Sequence, residues 1–553
     1  AISSDHLSID SLEEALLLTC GSVLHLIQAL KEIASVPPPR LCLVTRGGVP
    51  LGQRSNPIEI AQAPIWGLSR VIALEHPELH CVTLDLDPLG DKSELLGVVD
   101  EIWMKGREDQ IAIRQGQRFV ARLRKKILDS RYQKNSLSKP SIDTSPFREK
   151  GTYLITGGLG SLGLIVAEWM IEKGARHLVL MGRRGVSPTM QDRLQKMEER
   201  GAKVMVVQGD VSQSQDVQRL LSEVAHSMPP LRGIIHGAGV LDDGVLLQQN
   251  WNRFLKVMAP KVKGAWNLHE LTRGLTLDFF VLFSSGASLI GSGGQGNYAA
   301  ANAFLDSTAH YRQAKGLPGL SINWGPWAGV GLAAAVRDQA KNRWSDLGLT
   351  SILPEQGVQV LEQVLRSGCS QIGVLPIQWA RFFERFATGQ EPPLFTELAR
   401  ETRIQSVTPK ELAKSDLLKE LHDALPSDRW DILVTYLHDL AVKILGFDKS
   451  RTLDVHQGFF DIGMDSLTAL ELKNDLQQTL GQTLPSSVVF DHPNILDLAE
   501  YVAGEISSLK ATKLSRAAQP PASRELVEVP NRREELTEEE LTVLLAERLR
   551  QIE

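Results

Sequence analysis

The residues best suited to chemistry in this chain of 553 are Thr156-Gly157-Gly158-Leu159-Gly160-Ser161-Leu162-Gly163, set directly after Tyr153-Leu154-Ile155 and directly before the helical pattern Leu164 to Lys173. Glycines spaced G-x-G-x-x-G between a strand and a helix permit a tight turn. Backbone amides and the positive end of the helix dipole then meet a pyrophosphate. About 20 residues further on, where an NAD-binding site holds an acidic residue for the ribose diol, the chain reads Met181-Gly182-Arg183-Arg184. Guanidinium groups at that point suit a 2′-phosphate, so the expected cofactor is NADPH. Asp210 and Val211, ending a third strand, are expected to hold the adenine through side chain and backbone. Ala238 and Gly239, after a fourth strand, complete the cofactor set. His236 ends that fourth strand and reads as a hydrogen-bonded structural histidine in preference to a base.

The elements that must position these residues alternate regularly. Apolar runs near 152–156, 176–181, 203–208, 232–236, 278–284, 319–323 and 371–375 are separated by amphipathic stretches of helix length, which predicts a doubly wound parallel sheet. Residues from about 40 to 123 alternate in the same α/β manner. Their first turn, Arg46-Gly47-Gly48-Val49-Pro50-Leu51-Gly52, lacks the spaced glycines, so that unit is expected to bind no nucleotide. The expected organisation is a nucleotide-free structural unit with its linker over 1–150 and a catalytic unit over 151–380. A helical, charged connector over 381–427, a small all-helical bundle over 428–505, and a spacer with a terminal helix over 506–553 follow.

Composition narrows the function classes. Hydrophobic residues at 42% and charged residues at 23% are ordinary globular usage, which excludes collagen-like and wholly disordered chains. A net charge of −6 gives no overall field for a phosphate backbone, so no nucleic-acid partner is expected. Cys20, Cys42, Cys81 and Cys369 stand far apart, which argues against disulfides and zinc and for a reducing cytoplasm. No metal site and no membrane association are expected, and Ala1 in place of Met reads as a piece of a longer chain.

Together with Phe283-Ser284-Ser285 and Asn297-Tyr298-Ala299-Ala300-Ala301-Asn302, the glycine motif resembles the short-chain dehydrogenase/reductase superfamily. The resemblance is greatest to its ketoreductase branch from modular polyketide synthases, and it covers roughly residues 1–380. The superfamily's Tyr-x-x-x-Lys would place lysine where this chain has Asn302. In the ketoreductase branch Lys and Asn exchange positions, which implies the amine at Lys261, with Lys263 and Lys256 as alternatives. Ketone reduction puts negative charge on the carbonyl oxygen and needs one transferable proton. The resemblance assigns that proton to Tyr298, a shared donor to Ser285, tuning and the ribose hydroxyls to Lys261, and a relay contact to Asn302. Bringing a phenol from about 10 to neutrality takes ~4 kcal/mol of preferential stabilisation of the phenolate. An ammonium and the nicotinamide charge are the sources. Leu241-Asp242-Asp243 matches the signature of B-type ketoreductases, which implies a D-configured alcohol. Ile290 stands where the opposite type has Trp, and Ala300 where epimerising members tend to have Pro. Asn323-Trp324-Gly325-Pro326-Trp327 implies a loop beside nicotinamide and substrate, with a lid over about 333–349.

In the helical bundle, Phe460-Asp461-Ile462-Gly463-Met464-Asp465-Ser466-Leu467 resembles the phosphopantetheine attachment motif of acyl carrier proteins. Ser466 is the implied site of the 4'-phosphopantetheine, added by a phosphopantetheinyl transferase, and Glu471 and Asp475 are expected to offer partners an acidic face. The implied activity is reduction of a carrier-bound β-ketoacyl thioester alongside other domains of the same synthase. The alternative is a carrier-and-scaffold segment whose reductase is vestigial. Leu536, Leu541, Leu544, Leu545 and Leu549 stripe the terminal helix, which is expected to dock a downstream synthase subunit.

Overall fold

The computed structural model describes residues 7–33, 38–51, 57–90, 94–103, 106–126, 146–332, 348–384, 390–405, 428–445, 453–464, 466–480 and 487–505, with isolated positions between them. Most of the expected lid and the whole terminal helix, including its leucine stripe, lie outside the described residues.

The first unit is a four-stranded sheet in the order β1 (Cys42–Arg46), β2 (Val82–Leu86), β3 (Gln110–Arg114) and β4 (Gln117–Val120). Its first three strands are parallel and β4 returns antiparallel. At the end of β1 the Asp85 carboxylate accepts from the amide of Gly48 at 2.7 Å and from Thr45 Oγ1 at 2.5 Å, and pairs with Arg114. A helix over Pro64–Glu75 leaves this sheet and lies on the second unit. At Gly67 an added Cβ would come within 2.2 Å of the carbonyl oxygen of Ala299, so only glycine permits the approach. Among the described residues one helical stretch, Ile9–Lys31, is long and apolar enough to cross a membrane. Its Leu12, Leu16, Cys20, Leu24 and Ile27 are buried in the protein core.

The second unit is the doubly wound sheet. Seven parallel strands stand in the order β11 (Gln371–Val374), β10 (Leu320–Trp324), β9 (Phe279–Ser285), β8 (Leu231–His236), β5 (Thr152–Thr156), β6 (His177–Gly182) and β7 (Lys203–Gln208). Helices cover both faces and two apolar cores flank the sheet, which is why its central strands read as continuous hydrophobic runs. The strand order reverses between β5 and β8, and the crevice outside their carboxyl ends is where such sheets bind ligands.

Part of the stretch expected as a connector is folded. Phe382, Phe383, Leu394, Phe395, Leu398 and Ala399 bury one another in the helices Trp379–Glu384 and Thr396–Gln405 and the turn between them. Leu123 donates its amide to the carbonyl of Leu394 at 2.8 Å, tying this cluster to the first unit. Aromatic burial is what packs these connector helices together. The carrier region is a helical bundle of Arg429–Ile444, Ser466–Leu480, Val488–Asp491 and Ile495–Glu505 around Leu433, Leu437, Phe459, Leu472, Leu476, Leu498 and Val502.

Candidate active site

The glycine turn leaves β5 and enters the helix Ser161–Glu172 at Gly160, which offers no side-chain cap to the first amides. Gly157 adopts φ +70°, and a Cβ at Gly163 would sit 2.4 Å from the carbonyl oxygen of Gly157. The backbone cradle thus exists only with glycine at these places. It forms one end of a cleft of about 710 Å³ whose wall includes Leu162, Asp210, Val211, Ala238, Gly239 and Leu241. Arg183 and Arg184 line the same cleft, exposed and without an ion pair among the described residues. Asp210 spends its amide on Asp216 at 2.8 Å and its Oδ1 on the Ser212 turn, at 2.9 Å to the amide and 2.7 Å to Oγ. Ser161 Oγ accepts from the amide of Gly331 at 3.0 Å, joining the turn to the segment after β10. A glycine cradle, an uncapped helix start and free guanidinium groups fit a dinucleotide with an extra phosphate. Thr156 holds the buried His236, with Oγ1 2.7 Å from Nδ1. Burial, reinforced by Lys261, takes that imidazole down to about 3, so it stays neutral as a structural histidine.

At the other end of the cleft Lys261, Ser285 and Tyr298 meet, with Asn302 one helical turn beyond Tyr298. Lys261 lies in a π-helical turn, Ala259–Lys263, and its Nζ donates to the carbonyl of Phe283 at 2.9 Å and lies 5.4 Å from the centroid of the Tyr298 ring. Burial brings its ammonium down to about 8, against the pull of Asp306. The two alternative lysines are engaged elsewhere, Lys256 with Asp242 at 2.7 Å and Lys263 with Glu13. Asn302 Nδ2 donates to the carbonyl of Tyr298 at 2.8 Å, and its buried Oδ1 has no hydrogen-bond partner among the described residues. The structure differs from expectation at the phenol. Burial pushes Tyr298 up to about 12, and the Asn302 and Ser285 side chains work against that rise without reversing it. The reason is positional: the hydroxyl is buried, while the lysine faces the ring and the carbonyl of Phe283. Ser285 Oγ also caps the short helix Gly286–Ile290 through the amide of Ala287 at 3.2 Å.

Leu241 faces the cleft, while Asp242 and Asp243 build the loop behind it. Asp242 binds Arg253 and Lys256, each at 2.7 Å, and Asp243 accepts from Gln295 at 3.0 Å. These contacts hold Asp242 well below the usual carboxylate range, Lys256 most and Arg253 next. Sequence reasoning missed a buried polar cluster under the site. Asp306 accepts from Ser288 at 2.8 Å, Ser321 at 2.6 Å and Asn323 at 2.8 Å, and Asn323 also reaches Ser284 at 3.1 Å. Asp306 lies eight residues after Tyr298, two helical turns along the same helix, which was the available signal.

In the carrier bundle Ser466 opens the helix Ser466–Leu480. The expected acidic face is partly offset: Asp475 pairs with Lys443 at 3.4 Å. Between Glu471 and Asp475, Lys473 is fully buried within electrostatic reach of Glu78 and then Glu75 of the first unit, and burial lowers it to about 8.

Three families match. Residues 151–329 match the KR domain, residues 435–502 the phosphopantetheine attachment site, and residues 4–123 the Rossmann fold domain of polyketide synthase extender module SpnB. Polyketide synthase GfsA of Streptomyces halstedii is 36% identical over 493 residues, covering 88% of this chain and 6% of the relative. Erythronolide synthase EryA3 of Saccharopolyspora erythraea is 33% identical over 494 residues, again 88% of this chain but 14% of the relative. The chain therefore spans a small part of the length of such relatives. Among solved structures, A-type ketoreductases from a modular polyketide synthase superpose with TM-score 0.60 at 33% identity, covering 68% of this chain and 78% of that one. The first ketoreductase of the tylosin synthase gives 0.59 at 32%, covering 69% and 79%.

Proposed function

Because this chain belongs to the modular type I polyketide synthases, with a ketoreductase domain of the short-chain dehydrogenase/reductase type ahead of a phosphopantetheine-attachment domain, we propose that it reduces a carrier-bound β-ketoacyl thioester to the β-hydroxyacyl thioester using NADPH. The observation that carries this reading is the meeting of Lys261, Ser285 and Tyr298, with Asn302 behind them, in the cleft that the glycine turn opens.

The cofactor supplies the hydride. It would be held by Gly157 to Gly163 at the pyrophosphate, Arg183 and Arg184 at the 2′-phosphate, Asp210 and Val211 at the adenine, and Ala238 and Gly239 along the cleft. Ser285 and Tyr298 bind the ketone oxygen, where charge develops. A phenol held near 12 keeps its proton at neutral pH, which is the form a reduction consumes. Lys261 holds the ribose hydroxyls and, once the proton has left, offers the phenolate a positive charge. Asn302, with a buried acceptor to spare, takes the water that returns a proton to Tyr298.

Leu241-Asp242-Asp243 and Ile290 support the B-type assignment and a D-configured product, and Ala300 supports retention at the α-carbon. Ser466, at a helix start, is the hydroxyl we assign to 4'-phosphopantetheine, attached by a phosphopantetheinyl transferase. Other domains of the synthase supply the ketone. A downstream subunit is the proposed partner of the terminal leucine stripe, and four free thiols suit the cytoplasm. The test is NADPH consumption with a β-ketoacyl thioester or trans-1-decalone, with chiral chromatography of the product. A vestigial domain gives no consumption, and an L-alcohol refutes the B-type assignment. Intact mass after treatment with coenzyme A and a transferase should show one added arm that Ser466→Ala abolishes.

A further inference from the structure

Glu75 ends the helix Pro64–Glu75 of the first unit, yet its carboxylate serves two loops of the second. Oε2 accepts the amide of Leu246 and Oε1 the amide of Gly294, both at 2.7 Å. Gly244 donates to the carbonyl of Gly294 at 2.7 Å, so the loops are joined to each other where Glu75 holds them. One loop carries Leu241-Asp242-Asp243; the other runs into Tyr298. Packing at this junction is tight. A Cβ at Gly296 would meet Leu246 at 2.5 Å, and one at Gly291 would meet Leu74 at 2.8 Å. Asn297 Nδ2 donates to the carbonyl of Asp242 at 2.8 Å, continuing the same connection to the residue before the tyrosine.

Glu75 is buried, and among the described residues it forms no salt bridge. Burying a carboxylate is costly unless hydrogen bonds repay it, and two backbone amides from one junction are a specific repayment. A residue needed only to stabilise the first unit has no reason to place both oxygens on the other unit's loops.

We infer that Glu75 is a positioning residue for the reduction, setting the register between the stereocontrol loop and Tyr298 and thereby the face of the ketone presented to hydride. The inference rests on the ketoreductase reading. Glu75→Gln keeps the volume but leaves one acceptor oxygen for two amides. In the full chain, hydrogen exchange at 241–249 and 291–298 is expected to speed by about tenfold or more, with 152–172 unchanged. The alcohol should become a mixture of configurations, kcat should fall, and the dissociation constant for NADPH should stay within about twofold. The configuration ratio does not depend on how much enzyme folds, so a poorly folding variant still answers. Glu78→Gln, which weakens the stronger attraction on Lys473 and leaves the two amides held, should keep the wild-type ratio. Unchanged exchange at both loops, or an unchanged ratio with turnover tracking the folded fraction, overturns the inference. Absence of NADPH consumption by the wild-type chain would instead refute the ketoreductase reading, and exchange alone would still decide whether Glu75 holds the loops.

Discussion

The turns after β1 and β5 begin alike and end differently. Each follows a parallel strand and contains a glycine with positive φ, Gly47 at +68° and Gly157 at +70°. In the first, the Asp85 carboxylate from the neighbouring strand takes the amide of Gly48, and Arg114 neutralises it. The place an incoming phosphate would use is filled by the protein's own anion. In the second, no side chain among the described residues caps the helix, and the cradle opens into the cleft. The two turns therefore differ in the occupant of their amides, beyond their glycine content.

The largest effect that sharpens this contrast is expected at the open turn's far end. Tyr298→Phe should lower kcat on the order of 10²–10⁴-fold, while fluorescence titration shows NADPH binding unchanged; near wild-type turnover would remove the tyrosine from its role. At the closed turn, Asp85→Asn strips the partner from a buried arginine and should cost about 3–5 kcal/mol in a denaturant melt. NADPH affinity should not change, and a second bound NADPH in that variant would show that the carboxylate alone had kept nucleotide out. Arg183→Ala and Arg184→Ala are smaller tests. The better placed of the two should lose roughly tenfold of the preference for NADPH over NADH, and equal preference throughout would move the 2′-phosphate elsewhere.

The smallest effect is a pH dependence. Burial lowers the Lys261 ammonium from 10.5 to about 8, so it is charged below that pH and neutral above it. The folded value lies beneath the unfolded one, so the cost of keeping the charge buried is present below about 8 and fades as pH rises towards 10.5. The kcat/KM for reduction should fall as pH rises through about 8, and Lys261→Arg should move that limb upward. A profile that Lys261→Arg leaves in place would assign the limb to another group.

Much of the site was legible in the chain. The five central parallel strands are buried and apolar along their length because helices cover both faces, and the glycine motif could be placed between β5 and its helix by pattern alone. The choice among Lys256, Lys261 and Lys263 was not decided by spacing. The π-helical turn at Ala259–Lys263 shifts the helical phase, so the middle lysine points inward while its neighbours find Asp242 and Glu13. Aromatic packing at Phe382, Phe383 and Phe395 was hidden in a stretch that reads as polar.

What the sequence by itself determined is local and periodic: the strand and helix alternation, the glycine cradle, and the residue types gathered around Tyr298. Each depends on neighbours within a turn or a strand. Only the tertiary structure decided that Asp85 closes the first turn, that Asp306 braces the strand ends, and that Glu75 reaches 171 residues along the chain to Leu246. The last of these crosses between the units, where the close approach at Gly67 seats one on the helix Gly296–Ala314 of the other, and in all three a buried polar group finds its partner wherever packing puts one.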